Sequence, residues 1–439
     1  MRALLQLAPL LIILFCVSAR GNIRNFIVQG AIVTLPFRIT YGVATSNHAG
    51  WVDGVVISLS DILFVLFACH TGLKGTLRPV FLSKDGVARG LIFLAAAGMI
   101  SVINTTSKPF TLCQVILVMQ VLFINYLCMV RCINNRDDLY SALQGVSFSL
   151  MLQGVIGCTQ FALQGNFLWF STGSNSGQNI GIGDEDSSLI RVFGTVGKPN
   201  GFAMLLSPML LMNIALLSRN ELPGRRLRVL SVFLGSLGLV FSGSRGGWLS
   251  CAAALLFYFG FTFWQQKERR GQLLRGAMVF LALVCIAGGP FIKQRLTSDD
   301  RNAASSRLPL IRIAVGIIKA HPIVGIGANT YQNVMRRFIP SDFEAWVGQV
   351  HNTYLLVMAE MGLIGSIAFF LLMRNLFTEA VSCVRMVDHV LQPTLGLGLL
   401  LVLVQVSFHM LVEAYVGKMA LGMLFMLVGI VGAARKLDV

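Results

Sequence analysis

Apolar runs long enough to cross, or nearly cross, a hydrocarbon core of ~30 Å recur from one end of this sequence to the other. They lack the alternation of a membrane strand, so the expected fold is all-α, a polytopic transmembrane helical bundle and not a barrel. Only 12% of the 439 residues are charged and 55% are hydrophobic, with a mean hydropathy of +0.74, outside the range of an ordinary water-soluble domain. Bounded by polar turns, the runs fall near 3–19, 25–41, 57–72, 88–103, 111–131, 140–163, 200–217, 229–242, 248–264, 276–290, 352–373, 395–412 and 418–434. That pattern predicts twelve or thirteen spans, the first two short enough to form a re-entrant or interfacial pair. No polar segment can hold a core of its own, so residues 1–439 read as a single membrane domain.

The opening "MRALLQLAPLLIILFCVSARG" has the apolar middle and small-residue end of a signal peptide, but with many spans following it is expected to stay as a short first helix. The nine cysteines lie mainly inside apolar runs, where they act as small hydrophobes, and no disulfide framework is expected. Cys128 and Cys132 stand four apart without a second pair or a nearby His, which favours packing over a metal site.

Short basic connections fix the orientation. Residues 73–89, 130–138, 218–228, 265–275 and the terminal "ARKLDV" fall on one side by alternation, which the positive-inside rule assigns to the cytoplasm. The opposite face receives 166–200, the turn "GSRGG" (243–247) and a long loop, 291–350. That loop carries eight Lys or Arg against four Asp or Glu, about +4 on the side where topology requires no positive charge. It is either a solvated basic loop or the seat of an anionic ligand. Within it, "SSRLPLIRIAVGIIKA" (305–320) reads as an interfacial helix capped by Ser305 or Ser306, with Leu308, Ile311, Val315 and Ile318 on one face.

Several residues can carry chemistry. His351 precedes a long apolar run at the outer mouth of a helix, where the positive helix end and nearby arginines favour a neutral imidazole, the form a general base needs; otherwise it only caps the helix. Arg245 sits in a short turn between two spans, and Gly243, Gly246 and Gly247 beside it allow close approach of a backbone or ligand. An arginine there needs an anionic partner or must snorkel to the surface. Arg191 and Lys198 flank "GTVG", whose N–H groups can help hold phosphate oxygens. The acidic "GDEDSS" (183–188) is either a solvated patch or an Asp-x-Asp chelator of Mg²⁺.

Together "SRGGW", "SSRLPLIRIAVGIIKAHPIVGIGANTY" and "HNTYLLVMAEMGLIGS" resemble the O-antigen ligase and O-antigen polymerase superfamily of bacterial inner membranes, most specifically between about 190 and 375. The last stretch fits the ligase pattern His-[Asn/Ser/Gln], nine residues, Gly-x-x-Gly through His351, Asn352, Gly362 and Gly365; Ser366 departs from the Gly, Thr or Tyr that follows. The resemblance implies that Arg245, Arg307 and His351 are required for activity, with Arg301 and Arg312 close to Arg307 in sequence. It implies a glycan donor on undecaprenyl diphosphate at the periplasmic face, and an acceptor hydroxyl on the lipid A core or on a growing glycan. Arg191, Lys198, Arg301 and Arg312 are then further candidates for the diphosphate, and membrane lipids surround the bundle. Neither nucleic acid, cofactor nor metal is expected as a partner. A transporter of lipid-linked sugars is the rival reading, but the spans are nearly free of charge and the basic residues gather at one interface; Glu413 and Lys418 are exceptions, expected in the short outer turn between the last two spans.

Overall fold

The computed structural model describes residues 23–37, 40–42, 54–71, 85–164, 190–265, 286, 288–297, 307–339, 349–386 and 391–437. In chain order these form α1 (Ile23–Thr34), a hairpin of β1 (Thr40–Gly42) and β2 (Val56–Ser58), α2 (Leu59–Thr71), and α3 (Gly86–Ile100) with a 3₁₀ turn at Ser101–Asn104. Next come α4 (Lys108–Cys132), whose stretch Val121–Leu127 is π-helical, α5 (Arg136–Ala162), α6 (Pro199–Leu217), α7 (Arg225–Phe241) and α8 (Arg245–Gln265). Residues 288–297 form α9, followed by α10 (Arg307–Ala320), the single turn α11 (Tyr331–Val334), α12 (Thr353–Val384), α13 (Leu391–His409) and α14 (Lys418–Ala434).

Seven of these helices, counting α3 with its 3₁₀ turn, are long and apolar enough to cross a membrane by length and composition. The polytopic all-α expectation holds. The span expected at 3–19, most of that at 276–290, the acidic "GDEDSS" and Arg301 lie outside the described residues. The span expected at 25–41 is realised as α1 of 12 residues, about 18 Å of helix, after which the chain turns into β1. β1 and β2 pair antiparallel with Thr40 opposite Ser58. The loop expected from 291 onward instead begins as helix, because α9 runs on to 297.

The chain divides into two compact units. The first comprises Met1–Arg38, Tyr140–Arg301 and Pro393–His409; the second Ile39–Leu139, Asn302–Gln392 and Met410–Val439.

In the first unit, glycines let helices touch backbone to backbone. A Cβ on Gly154 of α5 would lie 2.5 Å from the carbonyl carbon of Leu234 in α7, so no larger residue fits. Polar side chains also join helices of this unit. Ser147 donates to Asn213 Oδ1 at 2.6 Å, Ser231 donates to the Ser147 carbonyl at 2.7 Å, and Gln405 donates to Ser250 Oγ at 3.0 Å. Within hydrocarbon such bonds replace the water that a soluble protein would use. Phe161 stacks on Phe241 at 3.9 Å, and Phe291 of α9 meets both rings edge-on.

In the second unit α3 packs along α12, with Gly90 against Leu372 and Asn375 donating to the Gly86 carbonyl at 2.7 Å. α14 lies on the π-helical stretch of α4, where Gly429 fits against Met129 and the Tyr126 carbonyl. The start of α14 is tied to α2, since Lys418 bonds to Asp61.

Candidate active site

In the first unit three arginines converge on the turn between α7 and α8. Gly243 has φ +59, and a Cβ there would lie 3.1 Å from Arg191 Nε and 3.3 Å from Arg295 Nε. Only glycine lets both side chains pass so close. Arg191 Nε donates to the Ser242 carbonyl at 3.0 Å and its Nη2 to Asn200 Oδ1 at 2.8 Å. Buried Arg295 donates from Nε to the Gly243 carbonyl at 2.9 Å, and Arg245 donates from Nη2 to the Arg295 carbonyl at 2.8 Å. Three guanidinium groups gathered on one turn form a locus that attracts an anion and can meet phosphate oxygens in pairs. Arg191 and Arg245, singled out from sequence, are thus brought together. Arg295, counted there only as a loop cation, is the third member; its signal is Phe291, one helical turn earlier and buried on the same face.

Three of the four N–H groups of the "GTVG" turn, those of Gly194, Thr195 and Val196, are taken up inside the protein. Phe193 N and Gly194 N donate to Gln160 Oε1 at 3.2 and 2.8 Å, and Val196 N donates to the Phe193 carbonyl at 3.1 Å. Apolar Phe193 and Val196 are buried, which turns this backbone inward onto α5. Lys198, exposed, precedes α6 as its N-cap.

His351 lies in the second unit, immediately before Asn352, the N-cap of α12, whose side chain accepts from Leu355 N at 2.9 Å. Its Nδ1 lies 2.6 Å from Glu413 Oε1, with the Glu413 side chain 6% exposed and that of His351 38%. The acid comes from the turn between α13 and α14, as expected, but its partnership with His351 is new. That turn is bound to the head of α12 throughout. Thr353 N donates to the Met410 carbonyl at 2.8 Å, Asn352 Nδ2 to the Leu411 carbonyl at 3.1 Å, Thr353 Oγ1 to the Glu413 carbonyl at 2.9 Å, and Tyr415 N to Thr353 Oγ1 at 2.8 Å. A carboxylate on Nδ1 accepts from an Nδ1–H and holds the ring in one orientation; in the neutral ring that tautomer has Nε2 as its acceptor. Buried in the same turn, the Tyr415 hydroxyl is held well above the ordinary tyrosine pKa by desolvation.

Gly362 explains part of the "Gly-x-x-Gly" spacing. It breaks α12 with φ 62 and ψ −158, a conformation essentially confined to glycine. The segment 321–331, "HPIVGIGANTY", fills the break. Ile326 N and Gly327 N donate to the carbonyls of Ala359 and Glu360 at 3.1 and 2.9 Å, while Leu363 N donates to the Pro322 carbonyl at 2.9 Å. The buried Glu360 carboxylate accepts from Asn329 N at 2.8 Å and Tyr331 N at 3.1 Å. The broken helix and the loop before it are therefore one folded piece.

α10 packs onto this piece through Leu310, Ile313, Ala314 and Ile317, in a core shared with Val350, Leu356 and Ala414, which flank His351 and Glu413. The stripe expected at the interface is a different one, and it does not make this contact. Leu308 and Ile311 are exposed, because the helix is apolar on two sides and the stripe nearest α12 is the one that buries. Arg307 opens α10 and Arg312 follows one turn on, both exposed; neither hydrogen-bonds to His351 among the described residues. Cys128 and Cys132 lie with their sulfurs 4.0 Å apart on one face of α4. Among the described residues there is no group of three or more His, Cys, Asp or Glu placed to hold a metal ion.

No curated protein matches the chain. Residues 230–370, which contain the turn with Arg245 and Arg295, α10 and the head of α12 with His351, match the model of the family described as O-Antigen ligase. That segment, about a third of the chain, supports membership of the O-antigen ligase superfamily.

Proposed function

We propose that this protein is a glycosyltransferase of the bacterial inner membrane that moves a glycan from undecaprenyl diphosphate to an acceptor hydroxyl at the periplasmic face. The observation that carries the reading is the His351–Glu413 pair at the head of α12, its histidine on the same family segment as Arg245 and Arg295. Arg245, Arg295 and Arg191 hold the diphosphate and stabilise the negative charge that grows on it as it leaves. Arg307 joins them on the strength of the family resemblance, and Lys198, Arg301 and Arg312 are further candidates for the phosphates. His351 accepts the proton of the attacking hydroxyl on Nε2, Glu413 stabilises the imidazolium so formed, and the hydroxyl oxygen enters the anomeric carbon opposite the diphosphate, inverting it. Guanidinium groups take the place a divalent ion has in many glycosyltransferases.

The His-Asn start of α12 favours a ligase that attaches O-antigen to the lipid A core of lipopolysaccharide. Ser366, outside the ligase pattern, weakens that choice, and the second reading is a polymerase that joins lipid-linked repeat units by the same chemistry. Purified protein incubated with a polyprenyl-diphosphate glycan and both acceptors tests the proposal. Wild type is expected to transfer with or without chelator, and His351→Ala to lose about 10²-fold or more while inserting normally. Full activity of His351→Ala, or dependence on Mg²⁺, contradicts it.

A further inference from the structure

Arg191 reaches the arginine turn from a stretch with no regular structure of its own, since residues 191–195 are neither helix nor strand. Other groups must fix that backbone, and in the first unit they come from a row of glutamines on α5. Gln153 and Gln160, seven residues apart, share one face of the helix, and Gln164 follows just past its end. Gln164 Oε1 accepts from Ile190 N at 3.2 Å. Gln160 makes three bonds: Oε1 accepts from Phe193 N and Gly194 N at 3.2 and 2.8 Å, and Nε2 donates to the Gly194 carbonyl at 2.9 Å. Gln153 Oε1 accepts from Thr195 N at 3.4 Å and from Thr195 Oγ1 at 3.1 Å. The row therefore grips the chain both before and after Arg191. One more bond, from Val192 N to the Phe241 carbonyl at 3.0 Å, ties the same stretch to the end of α7.

Gly194 makes this fit possible. It has φ +55, and a Cβ there would lie 2.2 Å from Phe202 Cε2 and 2.9 Å from Gln153 Oε1. Gln153 and Gln160 are both buried, where an amide is costly unless it is bonded. A leucine at either place would pack without that cost, but it could not fix the path of a neighbouring backbone. We propose that Gln160, with Gln153 and Gln164 beside it, is a positioning residue for the donor, holding the backbone around Arg191 so that its guanidinium stands ready for the diphosphate. The inference rests on the reading above, in which Arg191 holds the diphosphate, and adds the residues through which α5 acts on that step. None of the three glutamines needs to touch the donor.

A double-mutant cycle on the full-length protein in nanodiscs tests this, with inorganic diphosphate as the probe and its Kd as the readout. Gln160→Leu and Arg191→Ala should each weaken binding by about tenfold, near the worth of one charge-assisted hydrogen bond. The double variant should bind no more weakly than Arg191→Ala alone, because Gln160 acts through the arginine. Losses that multiply to about a hundredfold, as independent sites would give, overturn the inference. So does wild-type affinity in Gln160→Leu. If Gln160→Leu does not insert, Gln164→Met, which removes the single bond to Ile190 N, enters the same cycle with an expected loss of about threefold, and the same two outcomes decide. In turnover, Gln160→Leu should lower kcat/KM for the donor and leave the acceptor KM unchanged; a change in the acceptor KM alone contradicts a role at the donor. Wild type that binds no diphosphate removes Arg191 as its ligand, and the inference with it. Binding with full coupling but no transfer to any acceptor keeps the positioning role and removes the transferase reading.

Discussion

His351 can act as a base only if its ring is held, and Glu413 is the residue that holds it, at 2.6 Å. Glu413→Ala should lower the transfer rate by about 10²-fold, the low end of what general-base catalysis contributes, while leaving the donor KM unchanged. Glu413→Gln keeps an oxygen that can accept from Nδ1–H and should lose less, and a shift of the pH profile between the two variants separates orientation from a merely structural role. Unchanged kinetics in Glu413→Ala would show that the ring needs no partner. His351 and Arg245 are legible in the sequence because each is a polar residue in an apolar setting with one bland alternative. Glu413 and Arg295 are not, because their roles come from contacts 62 and 50 residues away along the chain. Both were visible as charges; only folding shows that one faces a histidine and that the other is buried under a turn.

At the scale of elements, the broken α12 is the feature that organises the second unit. Gly362→Ala would place a Cβ 2.3 Å from the Ile323 carbonyl oxygen, in backbone that other residues rarely adopt. The cost should be on the order of 1–3 kcal/mol for the backbone alone, read as a lower Tm in detergent together with loss of transfer. An unchanged Tm would mean that the segment 321–331 does not seat as described. Helix positions were legible from hydropathy, since each run of apolar residues must bury itself in lipid or protein. The break at Gly362 and the π-helical stretch of α4 were not, because a long apolar run has the same composition whether it is straight or interrupted. The stripe of α10 that packs on α12 was not legible for a related reason. When both sides of a helix are apolar, periodicity alone does not say which side meets protein.

At the scale of the molecule, the arginine turn belongs to one compact unit and His351 to the other. The basic connections at residues 73–89 and 218–228 give the orientation from sequence, and the proposed reaction needs Arg245 and His351 on the side opposite to them. The most direct measurement is labelling of single cysteines at positions 245 and 351, in a chain whose nine native cysteines are replaced, with a membrane-impermeant maleimide applied to intact spheroplasts. Both positions should react before permeabilisation, and cysteines at Arg219 and Arg435 only after it. Labelling of position 245 and position 351 from opposite faces of the bilayer would contradict a shared site for the diphosphate and its base.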